Sequence, residues 1–270
     1  MQRTMSQVID LYMKSPEWLR LAPRTRTLYD LAFGKAVEFH DRDVHTIGIA
    51  DMYRLADNLY ANGATCRIVI SALRSLFSFA CSREYMTINP AAGVKDLPEP
   101  KPIPRWSDED IETFIAKTPK HMALVVMMAF YTGQRRSDLI RMEWDDYDGQ
   151  FIHLVQKKTG KELTIAVHPR LKQALDATRR RSKTILTNAH GERWQNIAIS
   201  QSVARHARRL GLSSTAIHGI RKSTASHLAE KGATPHQIAA VTGQSLKLVA
   251  HYTREADQKK LSAQAVNVWE

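Results

Sequence analysis

Cysteine is nearly absent from this chain, since Cys66 and Cys81 are its two cysteines among 270 residues. Two thiols are too few for the disulfide framework of a small secreted domain or for a zinc site built on cysteine. Long apolar runs are also missing: the longest, Met122 to Tyr131, has ten residues, whereas a membrane-spanning helix needs about 20. The N-terminal residues lack the apolar stretch of a signal peptide. These absences predict a soluble, cytoplasmic protein without a membrane partner.

Basic residues outnumber acidic ones, and most of the excess lies in one segment. The chain has 39 Lys and Arg against 27 Asp and Glu, a net charge of +12. Residues 157–222 alone hold 15 basic and three acidic residues. A concentrated positive field of this kind favours a polyanionic partner, and nucleic acid is the usual one in a cell. A solvated basic face without a partner is the alternative reading of the charge alone.

The periodicity predicts a mainly α-helical protein with a small antiparallel β-sheet, an α+β fold. Residues 1–97 form the first unit, with helices expected from Thr25 to Phe39 and from a cap at Thr65 onward. Residues 98–106 carry a proline at every second position from Pro98 to Pro104, which indicates an extended linker. Residues 107–270 form the second unit.

The sequence of the second unit contains clear signals for where its helices and strands begin and end. Ser107 precedes an acidic first turn and is the expected cap of a helix. The apolar helix that follows ends at Thr132-Gly133. Residues 151–155 and 162–167 predict two strands joined by a turn at Thr159-Gly160. Helices are expected to continue to the C-terminus, with breaks at Gly211, Gly232 and Gly243.

Two candidate site residues belong to the first half of this unit. Arg135 follows a glycine break at the end of a buried helix, where its guanidinium fork suits bidentate contact with a phosphate. An ion pair with Asp138 is the alternative. Lys158 lies in a hairpin, from which a proton donor on a flexible stem can reach a groove. The hairpin is no phosphate-binding P-loop, because Val155 occupies the position that requires glycine.

Further candidates follow toward the C-terminus. His218 and Arg221, three positions apart, share one helix face and can converge on one anion. His227 and His236 have no third ligand at a spacing that suits zinc. Tyr252 lies after Thr242-Gly243-Gln244 and before a final amphipathic stretch.

Read together, these elements resemble the tyrosine recombinase family, in particular the phage integrases. The motifs occur in family order: TGxRxSDL from Thr132 with Trp144-Asp145, then KTGK, HxxR and a final Tyr-Thr. The resemblance covers nearly the whole chain and implies a helical, SAM-like core-binding domain at 1–97 and a catalytic domain at 107–270. It assigns Arg135, Lys158, His218, Arg221 and Tyr252 to catalysis, with Tyr252 as the nucleophile and Asp138 in support.

The resemblance also implies the reaction. Such enzymes are site-specific recombinases that cleave DNA through a 3′-phosphotyrosine and rejoin it without a metal, ATP or any other cofactor, during DNA integration and excision. The implied partners are double-stranded DNA with paired inverted half-sites, three further copies in a homotetramer, and accessory DNA-bending or excision factors.

One position departs from the family pattern. Gln244 stands where the family usually has His or Trp, eight positions before Tyr252 and one fewer than expected. Either Gln244 substitutes for the usual group or that group is deleted. The departure leaves open a catalytically impaired relative that binds DNA as a regulator. A DNA-relaxing enzyme of the type IB topoisomerase kind is a third reading.

Overall fold

The chain divides into two compact units, Met1–Pro102 and Ile103–Glu270, as seen in a computed structural model. The structure describes residues 3–95, 97–100, 102–253, 262 and 265–266, without the side chains of residues 251–253. The division between Pro102 and Ile103 falls in the proline-rich segment.

The regular secondary structure described in the first unit is all helical. Its α-helices are α1 (Met5–Met13), α2 (Pro16–Leu19), α3 (Pro23–Phe33), α4 (Ile49–Leu59) and α5 (Gly63–Ser82), with 3₁₀ helices at Gly34–Phe39 and Val44–Thr46. Its core contains an aromatic cluster in which Tyr12 contacts Trp18, Phe33 and Phe79 at ring-centroid distances of 5.5, 6.4 and 5.3 Å. Aromatic contacts of this kind add to the stabilisation that burial provides.

The helix predicted from Thr25 to Phe39 is shorter in the structure. α3 ends at Phe33, and the chain continues as a 3₁₀ helix in which Ala36 has a non-helical φ of −108°. Phe39 in the 3₁₀ segment is buried in the core, whereas Leu31 in α3 is 64% exposed. Tertiary packing therefore overrides the local helical spacing here.

α5 is the central helix of the first unit. Asn62 caps it, because its side chain accepts a hydrogen bond from the backbone N–H of Thr65, so Thr65 lies inside the helix rather than at its cap. By length and composition this helix could cross a membrane, and it is the one such helix found among the described residues. It packs against α1, α3 and α4, and nine of its side chains are buried. We interpret it as a core helix.

The second unit combines helices with one hairpin. Its α-helices are α6 (Asp108–Lys117), α7 (Lys120–Thr132), α8 (Arg136–Leu139), α9 (Pro169–Asp176), α10 (Asn196–Arg209), α11 (Ile217–Glu230), α12 (Pro235–Thr242) and α13 (Leu246–Thr253), with a 3₁₀ helix at Trp144–Asp146. The expected cap is confirmed, since the Ser107 hydroxyl accepts from the N–H of Asp110 at 3.0 Å. The breaks at Gly211, Gly232 and Gly243 are confirmed as left-handed residues after helices.

The hairpin consists of β1 (Phe151–Val155) and β2 (Glu162–Ala166), paired antiparallel. Ile152 lies opposite Ile165, and Leu154 opposite Leu163. These side chains share the inner face, as alternation along a strand requires. The predicted fold class, mainly α with a small antiparallel sheet, is confirmed.

α7 is the centre of the second unit, because nearly all of its side chains are buried and it packs against α6, α8, α9 and α11. It ends in Thr132-Gly133-Gln134, and α12 ends in the same three residues, Thr242-Gly243-Gln244. In both, the threonine hydroxyl donates to the carbonyl four residues before it, and the glycine is left-handed.

The two helix ends lie against each other. A Cβ on Gly133 would lie 2.8 Å from Cγ2 of Thr242, and a Cβ on Gly243 would lie 2.5 Å from Nε2 of Gln156. Both glycines therefore supply a positive φ and the space for close approach. This contact brings the Arg135 segment, the hairpin and the Gln244 segment together.

The matched pair Gly243→Ala and Gly160→Ala measures that close approach. Both positions have nearly the same φ, 67° and 66°, but nothing lies within 4 Å of a Cβ at Gly160. We expect both variants to lose about 1 kcal/mol from the left-handed backbone, and Gly243→Ala to lose about 1–3 kcal/mol more from overpacking. Urea unfolding of the full chain measures both losses. Equal losses would show that the packing at Gly243 is loose.

Candidate active site

Arg135 is held by the turn between α7 and α8. It lies two residues after left-handed Gly133, at the N-cap position of α8. Its side chain is half-buried. Nη1 donates to Oε1 of Gln156 at 3.0 Å. Among the described residues no carboxylate pairs with it, so the ion pair with Asp138 considered above does not form. Its positive charge is held in place by a neutral group.

Asp138 instead supports the hairpin. The side chain is 3% exposed, and Oδ1 accepts a hydrogen bond from the backbone N–H of Lys157 at 2.9 Å. This bond fixes the base of the turn that carries Lys158. Oδ2 is buried and has no partner in the described part of the chain.

Lys158 lies at the exposed tip of the hairpin turn. The turn closes through two backbone hydrogen bonds to the carbonyl of Gln156, from Thr159 at 3.3 Å and from Gly160 at 2.8 Å. Gly160 provides the positive φ that this turn needs. The backbone is therefore fixed while the ammonium group of Lys158 can move.

His218 and Arg221 lie in the first turns of α11. Arg221 is 3% exposed, and its Nη1 donates to the carbonyl of Gly133 at 2.5 Å. The hydroxyl of Thr224 donates to the carbonyl of Phe130 at 2.8 Å. These bonds fasten α11 to the end of α7, so Arg221 contacts the segment that carries Arg135.

The start of α11 also contacts the segment Pro104 to Trp106. Trp106 donates through Nε1 to the carbonyl of Ala216 at 3.0 Å, and its backbone N–H donates to the hydroxyl of Ser223 at 2.8 Å. Gly219 lies so close that a Cβ would be 2.3 Å from the carbonyl oxygen of Pro104. Glycine between His218 and Arg221 is therefore a packing requirement.

His218 lies within the electrostatic influence of the predicted cations. Partial burial of the imidazole, followed by the positive charges of Arg221, Arg135, Lys222 and Lys158, lowers its pKa. The ring keeps an exposed edge. A lowered pKa leaves the imidazole neutral at pH 7, and a neutral imidazole can accept a proton.

Gln244 directly follows left-handed Gly243 at the end of α12. Its side chain is 4% exposed, and its backbone N–H donates to the hydroxyl of Thr242 at 3.3 Å. Oε1 is buried without a partner among the described residues. The structure therefore places Gln244 inside the unit rather than on its surface.

Tyr252 lies in α13, one residue before the end of the continuously described chain. Its side chain is outside the described part, as is nearly all of the final stretch, 258–270. Its assignment as nucleophile stays a prediction.

Gln134 and Gln156 were not expected at the site. Both are buried, and both contact the Arg135 segment. A signal for Gln156 is present in the sequence: it continues the inward alternation of Ile152 and Leu154 along β1.

Metal ligands do not cluster in the described residues: no group of three or more His, Cys, Asp or Glu is placed to hold an ion. His227, considered above for zinc, instead pairs through Nδ1 with Oδ2 of Asp108 at 2.9 Å.

Comparison with known proteins identifies the family. Residues 106–259 match the sequence model of the Phage integrase family, which is more than half of the chain. The integrase of Escherichia phage HK022 is 25% identical over 207 residues, covering 70% of this chain and 58% of that protein. The tyrosine recombinase XerA of Thermococcus kodakarensis is 23% identical over 269 residues, covering 93% and 92%.

Solved structures show the same fold. A lambda integrase dimer bound to a COC′ core site matches with a TM-score of 0.82 at 20% identity, covering 93% of this chain and 77% of that chain. A lambda integrase tetramer bound to a Holliday junction matches with a TM-score of 0.78 at 21% identity, covering 90% and 78%.

The chain is shorter than several of these relatives, spanning 58% of the HK022 integrase and 46% of the integrase of Enterobacteria phage 434. The matched region nevertheless contains Arg135, Lys158, His218, Arg221, Gln244 and Tyr252. By the extent of this match, the chain belongs to the phage integrase family.

Proposed function

We propose that this protein is a site-specific DNA recombinase that cleaves and rejoins DNA through a 3′-phosphotyrosine on Tyr252. The observation that carries the proposal is the contact between α11 and the Arg135 segment, in which Nη1 of Arg221 donates to the carbonyl of Gly133, within the region that matches the phage integrase family. Cations stabilise the negative charge that develops in a transition state. A neighbouring group that can accept a proton assists the attack of the nucleophile. A DNA phosphodiester is the substrate that fits both the site and the family.

In the proposed cleavage, the phenolic oxygen of Tyr252 attacks the phosphorus. The bond from phosphorus to the 5′ oxygen breaks as the bond to Tyr252 forms, leaving a 3′-phosphotyrosine and a free 5′-hydroxyl. Arg135 and Arg221 neutralise the charge that develops on the non-bridging oxygens. These guanidinium groups occupy the role that a divalent cation has in other phosphoryl transfers, so we propose a reaction without metal.

Two proton transfers balance this step. Tyrosine has an ordinary pKa of about 10, so its proton must be removed as it attacks. Neutral His218 is the proposed acceptor of that proton. Lys158 is the proposed donor of a proton to the departing 5′ oxygen. Rejoining reverses both transfers, and the phosphotyrosine conserves the bond energy, so ATP is not consumed.

We also propose the assembly in which this chemistry acts. Exchange between two duplexes requires four cleavages, which four protomers on paired inverted half-sites supply. The basic segment 157–222 would follow the DNA backbone, and residues 1–97 would form the core-binding domain. A C-terminal segment, Gln258 to Glu270, would dock on a neighbouring protomer, and accessory DNA-bending factors would select integration or excision.

Covalent capture tests the nucleophile. On a nicked half-site, from which the 5′-hydroxyl fragment diffuses away, the wild-type chain should form a protein–DNA adduct that survives denaturing electrophoresis. Tyr252→Phe should form none and should keep its DNA affinity, because one hydroxyl adds little to an interface of phosphate contacts. Tyr60→Phe, at a tyrosine 55% exposed in the first unit, is the control. An adduct on Tyr252→Phe would refute the assignment.

The guanidinium clamp is tested by Arg135→Lys and Arg221→Lys. Lysine keeps the charge and loses the bidentate fork, so DNA binding should persist while single-turnover cleavage slows on the order of 10²–10³-fold. Arg141→Lys makes the same change at an exposed arginine nearby and should cleave normally. Normal cleavage by both site variants would show that the phosphate binds elsewhere.

The environment of His218 is tested by NMR titration of its ring in the free protein. Because burial and neighbouring cations disfavour the imidazolium, the midpoint should lie below the ordinary value of about 6.5. Lys158→Gln removes one of those charges and should raise the midpoint, and added DNA, which supplies negative charge, should raise it too. A midpoint above the ordinary value that Lys158→Gln leaves unchanged would contradict the electrostatic influence of these cations.

A further inference from the structure

Two buried glutamines lie behind Arg135 and take no part in the chemistry proposed above. Gln156 is fully buried and Gln134 is 2% exposed. They come from different elements, since Gln134 follows α7 and Gln156 follows β1. Polar side chains buried this completely need partners for every donor and acceptor, and their arrangement is therefore informative.

The side chain of Gln156 uses its full hydrogen-bonding capacity. Oε1 accepts from Nη1 of Arg135 at 3.0 Å and from the hydroxyl of Thr159 at 2.9 Å. Nε2 donates to Oε1 of Gln134 at 2.7 Å and to the carbonyl of Thr242 at 3.0 Å. An amide has two donors and two acceptor positions, and all four are taken.

The orientation of both amides follows from their partners. A guanidinium only donates and a carbonyl only accepts, so Oε1 of Gln156 must face Arg135 and Nε2 must face Thr242. Gln134 continues the chain, because its Nε2 donates to the carbonyls of Thr132 at 2.8 Å and Val241 at 3.0 Å. The pair thus joins the end of α7, the lysine hairpin and the end of α12.

We propose that Gln156, supported by Gln134, is a positioning residue for strand cleavage: it aims the guanidinium of Arg135 at the scissile phosphate and fixes the Lys158 hairpin in register with it. The proposal rests on the proposed function, since it concerns the same phosphate. The hydrogen bond to Gln156 uses Nη1 of Arg135. The other N–H groups of the guanidinium are left for the substrate. Thr159, next to Lys158, binds the same amide oxygen.

The amide suits this task better than a carboxylate. A carboxylate at position 156 would bind Arg135 more strongly, but it would offset the positive charge that the phosphate requires. It would also place an oxygen against the carbonyl of Thr242 and against Oε1 of Gln134, where a donor is needed. A neutral amide fixes the arginine and leaves its charge for the substrate.

The first test compares Gln156→Met with Gln150→Met, the same change at an exposed glutamine just before β1. On the nicked half-site, Gln156→Met should cleave about 10²-fold more slowly, the scale expected for misplacement of a catalytic group. Its half-site affinity should stay near that of the wild type, because the basic surface is unchanged. Gln150→Met should match the wild type in both. A wild-type cleavage rate for Gln156→Met would overturn the proposal.

A double-mutant cycle separates positioning from general support of the fold. If Gln156 acts through Arg135, then Gln156→Met should slow cleavage far less in an Arg135→Lys background than in the wild type. Equal fold-losses in both backgrounds would show a merely structural role. Should Gln156→Met fail to fold, Gln156→Glu keeps the size of the side chain. It should slow cleavage by opposing the arginine's charge, and a normal rate would overturn the proposal.

A measurement on free protein distinguishes failure of this inference from failure of the proposed function. Rotation of the Arg135 guanidinium, followed by NMR and assigned with Arg135→Lys, should be slow in the wild type and faster in Gln156→Met. If the wild type forms no adduct on any half-site, the proposed function fails, and the rotation alone decides whether Gln156 holds Arg135. Unchanged rotation in Gln156→Met would overturn the inference even if the adduct forms.

Discussion

The close approach of two helix ends is the constraint on which the rest of the site depends. α7 and α12 both terminate in Thr-Gly-Gln, and the left-handed glycines let their ends touch. A side chain at Gly133 would push the end of α7 away from Thr242, and one at Gly243 would push the end of α12 away from Gln156 and Leu163 of the hairpin. The approach places the carbonyl of Gly133 against Arg221 and the carbonyl of Thr242 against Gln156. Backbone atoms that a longer helix would use internally become acceptors for the groups that shape the site.

The charges around His218 interact unfavourably with one another. Arg135, Arg221, Lys158 and Lys222 all disfavour the protonated imidazole, and like charges at short range also repel one another. The acceptors seen for the two arginines, Oε1 of Gln156 and the carbonyl of Gly133, are neutral and fix geometry without cancelling charge. The positive field of these residues therefore favours an anion over a cation at this site.

Local signals in the sequence predicted most of the framework. The cap at Ser107, the hairpin and the ends of α7 and α12 depend on neighbours in sequence, and all are present. The family motifs led to Arg135 and Arg221, which the structure brings together. Contacts between segments that are distant in the sequence could not be predicted from such local signals. Gln156 meets Thr242 across 86 positions, and α3 ends at Phe33 because the core competes with local helix preference. The alternation along β1 predicts that Gln156 is buried. It does not predict which residues bind the Gln156 side chain.

Gln244 shows what the repeated helix end does and does not determine. Gln134 and Gln244 follow the same Thr-Gly pair, and each donates its backbone N–H to the threonine hydroxyl. Gln134 has its amide oxygen bonded to Gln156, whereas the amide oxygen of Gln244 is buried without a partner among the described residues. The same local structure is therefore followed by one amide oxygen with a hydrogen-bond partner and one without. An unpaired buried acceptor is costly, so a donor brought by substrate binding would stabilise Gln244, as it would Oδ2 of Asp138.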